Sequence, residues 1–324
     1  MQKSVAFQVT QYIDGRAIPA PIQVVNSNKE IPMRTLQEIM RREFEDWQRE
    51  LPDAWKQALK DTQLDFDAFP RTPESGDVQA IPPVPKSEGT SNNAHTFKAF
   101  QALSPDRVVV AAFGNDPYPK PCHATGRAFE QGNLSDWSRD LICPGCVSRS
   151  LVSIVCAAVA STGKQKFLGL DNPQLRDRRT TLKQALDGSR NELLSPSTIF
   201  RSWEDQGVLL MNRALTFTDP SHQKYHRMFW KPFTDKVICV LVNEARNRPI
   251  VFALWGDKAK QLESLIQSKR KQLDVVAENI QIAKAGHPCL PHVYFRNGNP
   301  LAEVNRLIFQ RGDGNQINWL GIPN

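Results

Sequence analysis

Residues 108–118 read Val-Val-Val-Ala-Ala-Phe-Gly-Asn-Asp-Pro-Tyr, an unbroken apolar run followed by a polar turn. A strand that is apolar at every position is typical of a sheet covered on both faces. In open parallel sheets, ligands bind at the loops that leave the carboxyl ends of the strands. The run therefore predicts a buried strand at 108–113 and a loop in which Asp116 and Tyr118 are functional candidates. Taken alone, an Asn-Asp-Pro turn is more often structural than catalytic.

Two later apolar runs have the same form, at residues 208–211 and 250–254, and a short fourth strand is expected at residues 282–285. Segments with helix-like apolar spacing lie between them, so strands alternate with helices along the chain. This alternation predicts an α/β fold with a central four-stranded, mainly parallel sheet flanked by helices. Parallel strands place the residues that follow them at one edge of the sheet. The residues that we expect around one crevice there are Asp116, Tyr118, Asn212, Asp257 and His287.

The sequence predicts one main domain with an N-terminal extension. Residues 36–324 are expected to form the domain, and residues 1–35 the extension, with a β-hairpin around Asp14-Gly15. Residues 61–95 are rich in proline and glycine, which fits either an interdomain linker or an ordered wrap over the sheet.

A polar segment at about 163–190 reads as an insertion into the domain. Its most charged part is the run Arg176-Asp177-Arg178-Arg179. Such a run is typical of a solvated surface, and a loop that contacts phosphates is the alternative.

The composition of the 324-residue chain, 40% hydrophobic and 23% charged, is that of a soluble globular protein. A net charge of +7 and a pI of about 9.1 favour an anionic partner, with nucleic acid ahead of acidic membranes and acidic proteins. No secretory leader and no run of 18 apolar residues stand out, so we expect no membrane association. The expected location is intracellular: cytoplasmic for a bacterial or phage-like protein, nuclear for a eukaryotic one. Protein partners and oligomeric state are not indicated.

The six cysteines are scattered, and we expect free thiols rather than a disulfide framework. Cys143-x-x-Cys146 has the spacing of a half-site for zinc or an iron–sulfur cluster. A second pair at ligand spacing is missing, and Cys122 and His123 are the nearest further candidates. The sequence therefore predicts no metal site.

The motifs together resemble family 1 of the uracil-DNA glycosylases. The family's Gly-Gln-Asp-Pro-Tyr-His loop resembles residues 114–119, and its Gly-Leu-Cys-Phe resembles residues 126–129. Its uracil-reading strand resembles residues 207–216, and its closing His-Pro-Ser-Pro-Leu resembles residues 287–291. The motifs occur in the family's order over about residues 50–320. The resemblance implies the uracil-DNA glycosylase fold, and a DNA glycosylase that flips uracil out, hydrolyses its N-glycosidic bond and leaves an abasic site. It implies no metal and no cofactor.

The resemblance also implies residue roles. Asp116 would stabilise positive charge on the sugar and orient the attacking water, and His287 would hydrogen-bond O2 of the departing base. Asn212 would face N3–H and O4 of uracil, a donor and acceptor order that cytosine reverses. Tyr118 would crowd C5, where thymine carries a methyl group, and Phe129 would stack on the flipped ring. The base-binding residues implied are Asn115, Tyr118, Phe129 and Asn212.

Positions that touch phosphates in the family differ here, since Pro119, Asp257 and Cys289 replace a histidine and two serines. A carboxylate at position 257 would repel a phosphate at close range. Ser150 retains a family serine, and Leu290 resembles the leucine that enters the vacated base stack. We therefore expect the contacts to the DNA backbone to be altered. The expected substitutes are Arg176, Arg178, Arg179, Lys164 and Lys166.

Two further functions stay open beside uracil excision from single- or double-stranded DNA. One is excision of another modified or damaged base, including one in modified foreign (phage) DNA. The other is an inactive glycosylase-like module that binds DNA or protein. Retention of Asp116 and His287 argues against the inactive module.

Overall fold

The computed structural model describes residues 10–13, 16–19, 34–71, 78–83, 94–187, 192–310 and 316–321. The strands within these ranges are β1 (Thr10–Ile13), β2 (Arg16–Pro19), β3 (Val110–Gly114), β4 (Val208–Asn212), β5 (Ile250–Trp255) and β6 (Ile280–Ala285). The last four form the central sheet in the order β4-β3-β5-β6. Every neighbouring pair in it is parallel, which confirms the predicted fold class.

The register of the sheet brings the strand ends to one edge. Gly114 at the end of β3 lies opposite Asn212 at the end of β4. Trp255 at the end of β5 lies opposite Ala285 at the end of β6. The loops that follow these residues therefore leave from the same edge, as the sequence predicts.

Helices cover both faces of the sheet. The α-helices are α1 (Leu36–Phe44), α2 (Asp53–Ala58), α3 (Trp137–Ile142), α4 (Arg149–Ala160), α5 (Arg178–Asp187), α6 (Ile199–Asp205), α7 (Gln223–Glu244), α8 (Asp257–Lys260), α9 (Glu263–Gln272), α10 (Pro291–Tyr294) and α11 (Pro300–Phe309). In β3, Val110 and Ala112 pack with α3 to α6 and α11, whereas Ala111 and Phe113 pack with α1, α2, α7 and α9. Burial on both sides explains why the strand is apolar at every position.

Helix α7 begins earlier than the sequence suggests. Pro232 reads as a first-turn residue, but it lies in the interior of this 22-residue helix. An interior proline costs a helix roughly 3 kcal/mol because it removes a hydrogen bond and crowds the preceding turn. Burial of Phe229, Trp230 and Phe233 around it offsets that cost. The earlier start brings Gln223, at the first turn, to the functional edge of the sheet.

Peripheral segments adopt definite positions. Strands β1 and β2 pair antiparallel where a hairpin is predicted, and their connecting turn lies outside the described residues, as does the rest of the extension before residue 34. Ile81 forms an antiparallel bridge with Phe217, and the Thr96 hydroxyl donates to the carbonyl of Pro82 (2.8 Å). The described part of the proline-rich segment is therefore an ordered wrap. None of the described helices is long and apolar enough to cross a membrane.

The described part of the polar insertion packs onto the core through a few apolar side chains, while Arg176 and Asp177 of its charged run are exposed. Phe167, Leu170 and Leu182 are buried, and α5 packs against α3 and α4. Cys143 and Cys146 form a disulfide with Cα atoms 5.4 Å apart, so the expectation of free thiols is wrong for this pair. The tight turn after α3 brings the two residues together, which spacing alone does not reveal.

Candidate active site

A cavity of about 360 Å³, the edge cavity, opens where the strands of the central sheet end. The predicted residues that line it are Asn115, Asp116, Tyr118, Phe129, Ser150, Asn212 and His287. Its volume lies within the usual range of small-ligand pockets. The residues predicted to touch the base thus converge on one cavity, whereas Leu290 and the arginines of the insertion are not part of its lining.

Asp116 lies at the loop after β3 with its side chain 8% exposed. Its Oδ2 atom accepts hydrogen bonds from the side-chain amides of Gln223 and Asn115, and Arg227 Nη1 lies 3.8 Å from it. Its Oδ1 atom is buried and has no hydrogen-bond partner among the described residues. Burial raises the pKa of Asp116, and the Arg227 charge and the Gln223 amide oppose that rise. One oxygen is thus held in place, and the other is a bare acceptor.

The side chain of Asn115 contacts the carboxylate of Asp116. Its amide nitrogen donates to Asp116, and its own Oδ1 atom is buried without a partner among the described residues. Two consecutive residues of the loop therefore each carry a buried acceptor without a partner among the described residues. A buried acceptor without a partner is costly, so this pair is suited to hold a donor such as a water molecule.

Asn212 ends β4 and is 4% exposed. Its position depends on Gly114 across the ladder, because a Cβ atom there would lie 2.1 Å from Asn212 Oδ1. The backbone N–H of Ala128 donates to the Leu210 carbonyl (3.0 Å), which ties the following aromatic residue to the same strand. The amide is therefore set by backbone pairing and by the absence of a side chain opposite it.

Tyr118 and Phe129 are fixed to one another. The Tyr118 hydroxyl donates to the Phe129 carbonyl (3.3 Å) and lies 2.8 Å from the Ser148 hydroxyl. Burial raises the pKa of Tyr118 to about 12. Phe129 has a φ of 66°, an uncommon conformation for a residue with a side chain, and its ring packs on Trp255 with centroids 5.8 Å apart. Both rings are walls that the surrounding contacts hold in place.

Ser148 is a site residue that the sequence did not indicate. It caps α4 by accepting from the backbone N–H of Leu151 (3.2 Å), besides its contact with Tyr118. The sequence directed attention to Ser150, two residues later, which lines the edge cavity. A serine before an apolar helical run is a helix-cap signal, and that signal marks Ser148.

His287 follows β6 and presents one ring nitrogen as a donor. The backbone N–H of Cys289 donates to Nδ1 (3.2 Å), and the Cys289 sulfur lies 2.9 Å from the same atom. Because Nδ1 accepts, the proton of the neutral ring is on Nε2. Burial lowers the pKa of His287, which favours that neutral form. Gly256 permits the close approach, since a Cβ atom there would lie 2.9 Å from the ring.

A buried ion network supports the Gly-Arg-Ala-Phe segment at 126–129. Arg127 is 7% exposed; its Nη2 donates to Glu204 (2.6 Å), and its Nη1 donates to Glu130 (3.1 Å). Lys98 Nζ lies 3.6 Å from the same Glu130. The arginine that departs from the family's leucine therefore joins the segment to α6.

The arginines predicted to contact DNA are largely engaged within the protein. Arg178 is 5% exposed; its Nη2 donates to the Asn172 carbonyl (2.7 Å), and its guanidinium lies 4.6 Å from the centre of the Phe295 ring. Arg179 donates to the carbonyls of Cys143 (2.8 Å) and Val147 (2.7 Å). The Arg178 guanidinium is not available to a phosphate in this arrangement.

The other predicted DNA contacts lie at the surface. Lys164 and Lys166 both pair with Glu192, at 2.9 and 2.5 Å. Arg176 is exposed, and Leu290 has 46% of its surface exposed next to the loop of His287. Among the described residues, no group of three or more His, Cys, Asp or Glu side chains is placed to hold a metal ion.

Gln223, Arg227 and Arg213 are functional candidates that the sequence did not indicate. Gln223 and Arg227 contact Asp116, and Arg213 directly follows Asn212. The interpretation of Pro232 as a first-turn residue leaves Gln223 and Arg227 outside the expected helix. The available signal was the run Asp219-Pro-Ser before them, a common way to start a helix.

Comparisons with known proteins agree with this geometry. No family model matches the chain. The chain is 35% identical over 228 residues to the uracil-DNA glycosylase of Streptococcus equi subsp. zooepidemicus, a match that covers 70% of this chain and 81% of that protein. It is 28% identical over 226 residues to the uracil-DNA glycosylase of Nocardioides sp., covering 69% and 75%.

A solved structure shares the fold. The wild-type UNG crystal structure from Nitratifractor salsuginis superposes with a TM-score of 0.56 at 21% identity, covering 83% of this chain and 95% of that one. The identity is low, so this likeness concerns the fold alone. The first relative carries the assignment, because its identity and its coverage are both high enough to establish common descent. The chain belongs to the uracil-DNA glycosylase family.

Proposed function

We propose that this protein flips deoxyuridine out of DNA and hydrolyses its N-glycosidic bond, which leaves an abasic site for base excision repair. Family membership supports this reaction. The observation that carries it is the convergence of Asp116, Asn212 and His287, from three separate segments, on the edge cavity. A base within a duplex is out of reach of such a cavity, so the nucleotide has to leave the stack.

Recognition of uracil follows from two fixed side chains. Asn212 offers a carbonyl and an NH₂ group, which match N3–H and O4 of uracil, and cytosine presents the opposite order. Tyr118 forms a wall at C5 that Ser148 and the Phe129 carbonyl hold in place. A wall held on both sides favours uracil over a 5-substituted pyrimidine, which argues against excision of bulkier modified bases.

The chemistry separates charge across the glycosidic bond. As the C1′–N1 bond breaks, its electron pair goes to the base, and positive charge develops on the sugar. Asp116 stabilises that positive charge, and its bare Oδ1 accepts a proton of the water whose oxygen bonds to C1′. His287 donates from Nε2 to O2 of the departing uracil anion. No step needs a metal or a cofactor.

Contacts beyond the base are part of the same proposal. Leu290 is exposed beside the His287 loop and is proposed to fill the gap that the flipped nucleotide leaves. Ser150 lines the edge cavity and is proposed to contact DNA. Arg176, the exposed arginine of the insertion, is retained as a candidate for a peripheral contact.

A cleavage assay on oligonucleotides with one uracil tests the function. Alkali cuts the strand at each abasic site, so product length reports base release. We expect release from the uracil strand, none from matched thymine and cytosine strands, and loss of release in Asp116→Asn. Release of another base instead of uracil would favour the modified-base alternative. Binding without any release would favour the inactive module.

A further inference from the structure

A second depression, the cationic groove, lies beside the edge cavity and has a volume of about 510 Å³. It is formed by residues 224–235 of α7, by residues 258–265 of α8 and the start of α9, and by the residue after β4. The cations that line it are Arg213, Lys224, Arg227, Lys231 and Lys258. Among the described residues of its lining, Asp235 is the single carboxylate. The groove therefore has a strong excess of positive charge.

Helix geometry aligns most of these cations. Lys224, Arg227 and Lys231 are three and four residues apart, so they share one face of α7. From Lys224 to Lys231 the helix rises about 10 Å, at roughly 1.5 Å per residue. That length is sufficient for successive phosphates of one strand. The exposed side chain of Met228 lies between them and adds an apolar surface.

Internal partners neutralise only part of this charge. Lys231 pairs with Asp235, and Arg227 lies 3.8 Å from Asp116 at the boundary with the edge cavity. Lys224 Nζ lies 4.7 Å from the centre of the Tyr225 ring. The ring has no net charge, so this contact does not neutralise the lysine. Lys258 is exposed at the rim.

Arg213 is a half-buried cation of the groove. Its Nη1 donates to the Lys258 carbonyl (2.7 Å) and to Gln261 Oε1 (3.3 Å), so neutral groups hold it. Burial lowers the pKa of Arg213, and the nearby charge of Arg227 lowers it further. Two guanidinium groups placed near each other repel, and an anion between them would relieve that repulsion.

We propose that the cationic groove binds the sugar–phosphate backbone of the DNA strand that carries the flipped nucleotide. This rests on the proposed function and adds the path of the strand. The groove adjoins the edge cavity, because Arg213 follows Asn212 and Arg227 lies 3.8 Å from Asp116. It supplies the charge that the altered positions Pro119, Asp257 and Cys289 do not. The cations of the insertion are a poorer source, since several of them are already bonded within the protein.

The test compares two triple variants with the same change in charge. Lys224→Ala/Lys231→Ala/Lys258→Ala removes exposed cations from the groove. The control, Lys164→Ala/Lys166→Ala/Arg176→Ala, removes exposed cations from the insertion. Binding to uracil-free single strands and duplexes is measured over a salt series, and uracil excision is measured separately. Each lost phosphate contact lowers the slope of log affinity against log salt by about 0.7 to 0.9.

We expect the groove variant to lose about two units of slope and at least tenfold in affinity at low salt. The control should keep the wild-type slope. If the groove variant does not fold, the single variants Lys224→Ala and Lys258→Ala should each lose up to about one unit. An unchanged slope in the groove variants would overturn the proposal. Equal flattening in both triple variants would also overturn it, because it would reflect net charge alone.

The same measurements separate this proposal from the function. If the wild-type protein releases no uracil but the groove variant has a flattened salt slope, the proposed function is wrong and the proposed role of the groove stands. If the wild-type protein excises uracil but the groove variant keeps the wild-type slope, the proposed role of the groove is wrong and the proposed function stands.

Discussion

The edge cavity and the cationic groove adjoin one another, yet they relate to the family in opposite ways. In the edge cavity, the acid, the amide, the imidazole and the aromatic walls come from the motifs that resemble those of the family, and buried contacts fix each of them. In the groove, four of the five lining cations stand on α7 and α8, outside those motifs, and Arg213 is the one that falls within a motif.

The difference follows from what each region has to recognise. Reading a base edge and placing a water require particular atoms at particular distances, so few substitutions preserve them. Holding a phosphate backbone requires mainly positive charge near its path, and that charge can come from several positions. A substitution that displaces atoms in the cavity should therefore lower excision strongly. A substitution that removes one charge from the groove should lower DNA binding much less.

The largest expected effect is that of Asp116→Asn, which keeps the shape of the side chain and removes its charge. Excision at saturating DNA should fall about 10³-fold, in the range for loss of a positioned base. DNA affinity should stay the same or rise, because Arg227 is released toward the groove. Single-turnover excision and binding to one uracil-containing oligonucleotide measure both. A parallel loss of affinity would show that the two regions are not separate.

Gly114→Ala should have the next largest effect, although it introduces only one methyl group. The new Cβ atom would lie 2.1 Å from Asn212 Oδ1 and would displace the amide. We expect excision to fall about 100-fold, since small misplacements in an active site have effects of this size. The salt slope of DNA binding should not change.

Asn212→Ala provides the matched control for Gly114→Ala. If the glycine acts through the amide, the double variant should be no worse than Asn212→Ala alone. Additive losses would mean that Gly114 acts in another way.

Ser148→Ala should have a smaller effect, directed at selectivity. It removes a partner of the Tyr118 hydroxyl and the cap of α4. Loss of a cap costs about 1 kcal/mol of stability, and we expect roughly a tenfold loss in preference for uracil over 5-substituted pyrimidines. Competition between uracil and 5-fluorouracil substrates measures the preference, and a melting curve measures the stability.

Ser148→Thr keeps the hydroxyl and should restore both properties. Ser150→Ala, on the next residue but one, should leave the preference intact. A change of preference in Ser150→Ala alone would transfer the role to that residue.

The features of this molecule differ in how far the sequence alone predicts them. The sheet was predictable because a strand buried on both faces is a continuous apolar run, as at Val110–Gly114. The convergence of Asp116, Asn212 and His287 followed from parallel strand ends, with their roles suggested by the family resemblance. These features depend on local pattern and on topology, which a sequence displays directly.

The remaining features depend on tertiary packing. Pro232 looked like a helix start because a local rule disfavours interior proline, and the aromatic core around it decides otherwise. Arg178 looked solvated because charge usually is, but carbonyl groups and the Phe295 ring enclose it. The contact of Gln223 with Asp116 spans 107 residues, and no spacing rule predicts such a pair.

Arg227 belongs to both regions, and its removal gives the smallest and most discriminating effect. Excision requires ionised Asp116, so activity falls as the pH drops through the pKa of this carboxyl. Burial raises that pKa, and the Arg227 charge opposes the rise. Arg227→Gln should therefore raise the pKa of Asp116 further and move the acid limb of the pH profile to higher pH. On the acid side we expect roughly a two- to tenfold loss, with an unchanged plateau at higher pH.

Lys224→Gln is the control for Arg227→Gln, because it removes a cation one turn earlier on the same face of α7 without a bond to Asp116. Its excision profile at saturating DNA should match the wild type, while its DNA binding loses salt sensitivity as in Arg227→Gln. If both variants shift the acid limb equally, the general field of the groove tunes Asp116. If only Arg227→Gln shifts it, the 3.8 Å contact does so, and this arginine couples DNA binding to the chemistry.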